Sequence, residues 1–412
     1  MENYELLNIS AGLSNGKLVA KCNGTLASAA QPLLDKLIKT LNSLKVISTK
    51  NEKNIYNLYN PPHPSKVGMR SLERNIKELI LKTVFPGTAN LAVTSLCQCN
   101  CAHCSADLFR NRNKEDISFI EMKKVIDNCL ELGVSLIIFV GGEPLLNKEI
   151  FNLIKYVDKD KAIVSLFTNG LLLSKENTKK LADTGLFCLY LSLDSVHPET
   201  HNKLRGVKDL FQKGIEGAAY ARECGILTGI STYATTQTLK SGDVENLIQL
   251  AQKEGFNEVT IFDCIPSGKY LKETQLMLSP EDKKNLTALA NKYHNSTHPM
   301  GVIAQCIVNS PEGAGCFGAF SQFYMTAYGD VNPCDFNPIS FGNVRKKHLA
   351  AIWKKMISHP DFSYRYKTCR MQTPEYRAKY IDCLPDDVCL PVPIEAYEGQ
   401  KPLLRAELPR QS

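Results

Sequence analysis

From about residue 90 the chain repeats one pattern: a short apolar run, then a segment with apolar residues at helical spacing. The runs 91–94, 136–140, 162–167, 187–193, 226–232 and 258–262 are strand-like, and 119–132, 148–157, 175–184, 210–224 and 244–254 are helical in pattern. Gly133, Gly185, Gly225 and Gly255 each stand just past one of those helices, where a left-handed terminating residue is wanted. Six strands separated by helices predict parallel pairing through right-handed crossovers. The strands are almost continuously apolar, as a sheet covered on both faces needs. A doubly wound open sheet and a partial (β/α) barrel both satisfy this, and in either the chemistry belongs at the carboxyl ends of the strands.

The flanks read differently. A chain of 412 residues predicts two or three domains. Residues 5–10 and 17–22 form a hairpin pattern about Asn15-Gly16, and 33–44 carries helical spacing. Pro61-Pro62-His63-Pro64 is a stiff linker before a basic amphipathic helix over 71–84. After Lys269 the repeat ends, and from about residue 300 the chain is rich in Gly, Pro, Cys and aromatics, a composition that wants a staple. The expected division is 1–85, 86–298 and 299–412.

Partners and compartment follow from charge and cysteine. Lys plus Arg is 49 and Asp plus Glu is 42, a spread excess of +7 that does not call for nucleic acid. Met1-Glu2-Asn3-Tyr4-Glu5 lacks the features of a signal peptide, and the apolar run 134–140 is far too short for stable membrane insertion. A cytoplasmic protein is expected, and there fifteen cysteines are metal ligands or inert core thiols rather than disulfides.

Four motifs fall on the carboxyl rim: Cys97–Cys104, Gly141-Gly142-Glu143-Pro144, Thr168-Asn169-Gly170 and Ser192-Leu193-Asp194-Ser195. Cys97-Gln-Cys-Asn-Cys101-Ala-His-Cys104 contains C-x₃-C-x₂-C. Three thiolates on one loop hold three irons of a [4Fe–4S] cube and leave the fourth open, whereas zinc would recruit Cys99 or His103 as a fourth ligand.

At these residues the sequence resembles the radical S-adenosylmethionine (SAM) superfamily: Cys97, Cys101 and Cys104 match its cysteine signature, Gly141–Pro144 its GGEP motif, and Ser192-Leu193-Asp194 and Arg205-Gly206 its later motifs. The resemblance implies an α/β fold, a partial (β/α)6 TIM-like barrel, between a small α+β N-terminal domain and a cysteine-rich C-terminal auxiliary-cluster domain. It implies that Cys97, Cys101 and Cys104 hold the SAM-binding [4Fe–4S] cluster. The turn of Gly141, Gly142, Glu143 and Pro144 would receive the SAM amino group, Ser192 and Asp194 would lie near ribose and methionine, and Arg205 would pair with the SAM carboxylate. His103, Ile230 and Ile265 would flank adenine. The resemblance implies that one electron would cleave SAM to methionine and a 5′-deoxyadenosyl radical, which would abstract a substrate hydrogen atom. Cys99 is an extra thiol that the family spacing does not need, and it is expected to point away.

Gly315-Cys316-x₁₂-Gly329-x₄-Cys334, followed by Phe341-Gly342-Asn343-Val344, resembles the C-terminal extension called SPASM or, when shorter, Twitch. The implied cofactor is at least one auxiliary [4Fe–4S] cluster, held by Cys316, Cys334, Cys369 and either Cys383 or Cys389. Structural zinc is the rival occupant.

The expected activity is radical SAM chemistry, an oxidoreductase by class, on a ribosomally made peptide recognised by the N-terminal domain. The rivals are oxidation or carbon–carbon bond formation on a small metabolite, tetrapyrrole or lipid, and a non-catalytic iron–sulfur carrier or scaffold. An electron donor such as flavodoxin or ferredoxin is implied.

Overall fold

A computed structural model describes residues 7–110 and 114–397; the Met1–Glu5 segment and residues 398–412 lie outside the described residues. Strands β1 (Asn8–Ser14) and β2 (Lys17–Asn23) pair antiparallel. Asn15 and Gly16 between them both take positive φ, 49° and 74°, as the favoured two-residue hairpin turn requires. The next helix, Ala27–Ser43, starts before the apolar spacing announces it and carries Pro32 inside. A short pair, β3 (Ser48–Lys50) and β4 (Lys53–Ile55), leads to the helix Lys66–Leu81. That helix begins straight after Pro64, because Ser65 caps it by accepting from the Gly68 N–H at 3.0 Å.

The repeat is a parallel sheet of β5 (Thr88–Ala92), β6 (Leu136–Val140), β7 (Ile163–Thr168), β8 (Cys188–Ser192), β9 (Leu227–Ala234) and β10 (Glu258–Asp263), each beside the next. Three further strands extend it. β11 (Gly301–Ala304) adds parallel to β10, and β12 (Gln322–Met325) adds parallel to β5 on the other side and turns back into β13 (Val331–Asn332). The order is β11-β10-β9-β8-β7-β6-β5-β12-β13, and among the described residues the two ends do not meet, so the barrel is open.

Neither expected boundary is a packing boundary. Residues after the first hairpin close the base of the barrel: Ile47, Ile55 and Leu58 pack with Cys188, Tyr190 and Leu227. The Leu58 N–H donates to Glu258 at 2.9 Å, and Tyr190 shares that buried carboxylate. At the other end, Phe323, Trp353, Met356, Phe362 and Tyr376 belong to the same core as β5 and the helix Phe119–Glu131. No described helix is long and apolar enough to cross a membrane.

Candidate active site

The cysteine loop follows β5 and is held from three sides. The Asn100 and Ala102 N–H groups donate to the carbonyls of Arg205 and Leu204 at 3.0 and 2.9 Å, so the loop is seated on the end of the helix Pro198–Arg205. The Lys269 N–H donates to the Cys104 carbonyl at 3.1 Å. The turn after β6 runs beside residues 94–96, with Gly142 N–H on the Thr94 carbonyl at 2.8 Å and Glu143 N–H on the Leu96 carbonyl at 2.7 Å. A Cβ on Gly142 would stand 2.0 Å from the Leu96 carbonyl oxygen, so the paired glycines are needed to let the two backbones touch.

These segments enclose a cavity of about 270 Å³ lined by Cys97, Cys99, Cys101 and Cys104 and by His103, Gly141, Gly142, Glu143, Ser192, Asp194, Arg205 and Ile265. Two sequence-expected residues are placed elsewhere. Pro144 is buried at the start of a short turn, outside the lining. Ile230 packs between sheet and helices with Leu191, Val259, Ile261 and Leu247. β9 lines the cavity near its end with Ser231, Thr232 and Tyr233, while Ile230 lies one position deeper with its side chain in the layer between sheet and helices.

Cys99 does not point away. It is buried, lines the cavity, and hydrogen-bonds through its thiol to both Cys97 and Cys101. Its backbone N–H also lies 3.4 Å from Cys97 Sγ. The loop has no strand alternation there to separate the three side chains. That donation lowers Cys97 to about 6 and Cys101 to about 7, against the opposing effect of burial and with help from nearby Arg205. Cys104 is pushed up by burial, with Arg110 Nη2 3.7 Å from its sulfur.

Asp194 organises the opposite wall. Burial pushes its pKa up, but Arg205 together with His103 and His201 outweighs burial and holds it at about 2. Arg205 donates Nε to Oδ2 at 2.7 Å and Nη2 to Oδ1 at 2.9 Å, so most of the fork expected to meet a carboxylate from SAM is engaged within the protein. Its Nη1 lies 4.0 Å from Cys101 Sγ. His103 Nε2 is 3.5 Å from Asp194, and its ring lies against Tyr233 at 4.4 Å between centroids, tilted by 36°. Glu143 is 1% exposed and accepts from Thr168 Oγ1 and Asn169 N–H, both at 2.8 Å; burial lifts its pKa to about 7. Asn169, Tyr233 and Asp335 line the cavity without having been singled out as site residues; for Asn169 its place in Thr168-Asn169-Gly170 on the rim was the available signal.

A second cavity of about 590 Å³ shares Val140, Phe167, Phe262, Ile265, Asp335 and Phe336 with the first and reaches Cys316, Cys334 and Cys369. Those three thiols come from separate turns of the C-terminal unit and are buried. Burial raises Cys334 and Cys369, and the neighbouring thiols add to it. Cys383 is exposed, with its thiol on the Lys379 carbonyl, and neither it nor Cys389 lines this cavity. Of the expected four-cysteine set, three thiols share this cavity. Among the described residues no group of His, Cys, Asp or Glu is gathered closely enough to hold a single metal ion.

Comparison with known proteins agrees with this architecture. The sequence model of the radical SAM superfamily matches residues 91–251, and that of SPASM, an iron–sulfur cluster-binding domain, matches residues 316–373. An AdoMet-dependent heme synthase of Nitratidesulfovibrio vulgaris is 25% identical over 79% of this chain and 90% of its own. A PqqA peptide cyclase of Rhizobium meliloti is 24% identical over 66% of this chain and 75% of its own. Among solved structures, Streptococcus suis SuiB bound to precursor peptide SuiA covers 84% of this chain and 87% of its own at TM-score 0.55 and 18% identity, a likeness of fold.

Proposed function

Because the chain is a radical SAM enzyme with a SPASM domain, we propose that it modifies a ribosomally made peptide, docked on the N-terminal hairpin and reaching the paired cavities. Enzymes of this superfamily use a [4Fe–4S] cluster and SAM, and the SPASM domain binds auxiliary iron–sulfur clusters. The donor sets fit. Cys97, Cys101 and Cys104 share one cavity wall and would hold the SAM-binding cluster; Cys316, Cys334 and Cys369 share another and would hold an auxiliary one. When bound, the reduced cluster supplies the electron that cleaves SAM and thereby the radical that takes a substrate hydrogen atom. Residues of the chain then bind and orient. Ser192, Asp194 and the Gly141–Glu143 turn line the SAM side, His103 on Tyr233 offers a flat face for adenine, and Ile265 stands where the two cavities meet. Arg205 orders this wall by fixing Asp194 and facing Cys101. A low-potential carrier such as flavodoxin or ferredoxin supplies the electron.

The observation that carries the peptide reading is one free strand edge. The outer edge of β2 is covered: Asn42 bonds the Leu18 N–H and carbonyl, both at 2.8 Å, and Gln31 accepts from the Cys22 N–H at 2.8 Å. On β1, Glu73 accepts from the Ile9 N–H at 3.0 Å, which shows which residues face outward. Ala11 and Leu13 share that direction by alternation and have no such cap among the described residues. An extended peptide can add there as a strand. Ala11→Pro removes an outward N–H and spares the pairing with β2. It is expected to abolish peptide binding, measured by fluorescence anisotropy, while 5′-deoxyadenosine release without substrate persists. Unchanged binding would overturn the reading.

A second reading, a tetrapyrrole or other small metabolite as substrate, is favoured by the larger cavity, whose walls include Phe167, Phe262 and Phe336 with Arg74 and Arg365. A small substrate would be turned over equally well by Ala11→Pro.

A further inference from the structure

Arg370 is 2% exposed and heads the large, fully buried side chains among the described residues. Its Nη1 donates to the Gly318 carbonyl at 3.0 Å and lies 3.5 Å from Cys316 Sγ. Nη2 donates to the carbonyls of Asp361 and Tyr364 at 3.1 and 2.9 Å. The guanidinium carbon sits over the rings of Phe362 and Tyr366, 4.8 and 4.4 Å from their centroids, and Nε has no hydrogen-bond partner among the described residues. Among the described residues this cation bonds only to neutral carbonyls and to sulfur, and to no carboxylate.

A guanidinium taken fully out of water needs a counter-charge. Two acids stand near the three thiols. Asp263, near Cys369, already accepts from Gln372 Nε2 at 2.6 Å and has Lys283 at 3.6 Å; Asp335 lies beside Cys334. Neither reaches Arg370 at ion-pair distance among the described residues. Of the groups this guanidinium meets, only the Cys316 sulfur can belong to an anion, once it is a cluster ligand. A thiolate-ligated iron–sulfur cube is anionic, and hydrogen bonds to its sulfurs raise its reduction potential.

We propose that Arg370 is the charge partner of the auxiliary cluster, with Nη1 on Cys316 Sγ compensating the cube and holding its potential up. The inference rests on the assignment of Cys316 as a cluster ligand. It makes Arg370 a positioning residue, acting on the substrate only through the cluster.

The test is an EPR-monitored redox titration of oxygen-free, fully loaded enzyme, with the SAM-binding cluster as internal reference. Arg370→Gln is expected to move the auxiliary signal to more negative potential and leave the reference where it is; Arg370→Lys, which keeps the charge, moves it less. An auxiliary signal at the wild-type potential in Arg370→Gln overturns the proposal. If Arg370→Gln takes up no auxiliary iron, retention of that iron by Arg370→Lys supports the charge role, and loss in both variants contradicts it. Wild-type protein that loads only one cluster would instead refute the ligand assignment beneath it, a failure that iron content alone reveals.

Discussion

The two thiol sets are built in opposite ways. Cys97, Cys101 and Cys104 lie on one loop, half-buried, with Arg110 and Arg205 beside them and a spare thiol between two of them. Cys316, Cys334 and Cys369 are buried, far apart in the chain, and brought together only when β12 and β13 join the sheet and Arg370 packs beneath Cys316. A local set needs little of the fold to exist; a distributed set is part of the fold. Loss of the first should cost activity, and loss of the second should cost structure as well.

That contrast can be broken by substitution. The largest effect is expected from Cys101→Ala: no SAM cleavage detectable by chromatography of 5′-deoxyadenosine, with auxiliary iron retained and little change in Tm. Cys334→Ala should lose the auxiliary iron and lower Tm in the loaded protein; a variant that keeps its Tm would remove the structural half of the contrast. Asp194→Asn should follow, because the Arg205 fork is then only partly paired; a loss of roughly 10- to 100-fold in SAM cleavage is expected, as for groups that orient ligands from behind.

Glu258 sharpens the comparison from a region with no cysteine chemistry. Burial raises its pKa to about 7, against the bonds from Tyr190 and the Leu58 N–H. The folded state thus binds this proton more tightly than the unfolded chain. Its contribution is fully present below the unfolded carboxylate range near 4.5 and declines as pH rises through about 7. Chemical denaturation of wild type minus Glu258→Gln should therefore lose roughly 3 kcal/mol between pH 4.5 and 8. A flat difference would mean that the base of the barrel does not impose this shift. Cys383→Ser should do least, leaving iron content and Tm unchanged, since Cys383 is exposed and away from the other three thiols.

Much of this was legible in the sequence. The six-strand repeat and the cysteine loop follow from periodicity and spacing, because both are local. A hairpin turn at Gly329 was also legible, but the joining of β11 and β12 to the sheet was not: each is four residues long and exists only by pairing with an edge already formed. Ile230, taken from the family resemblance, lies outside the cavity because a resemblance points to a strand without fixing which of its side chains reach the ligand. Cys99 was misjudged because spacing cannot say where a loop side chain points. Arg370 carried no signal beyond adjacency to Cys369, since its meaning lies in contacts with residues up to 54 positions away.

The central claim is that the loop thiols leave one iron free for SAM even though Cys99 lies among them. It is tested most directly by EPR of the reduced SAM-binding cluster in oxygen-free Cys316→Ala protein, recorded before and after adding SAM. The account predicts a spectrum that changes on addition and is the same in Cys99→Ser. A full complement of about four irons whose spectrum ignores SAM would show the last corner already held by Cys99, and would contradict it.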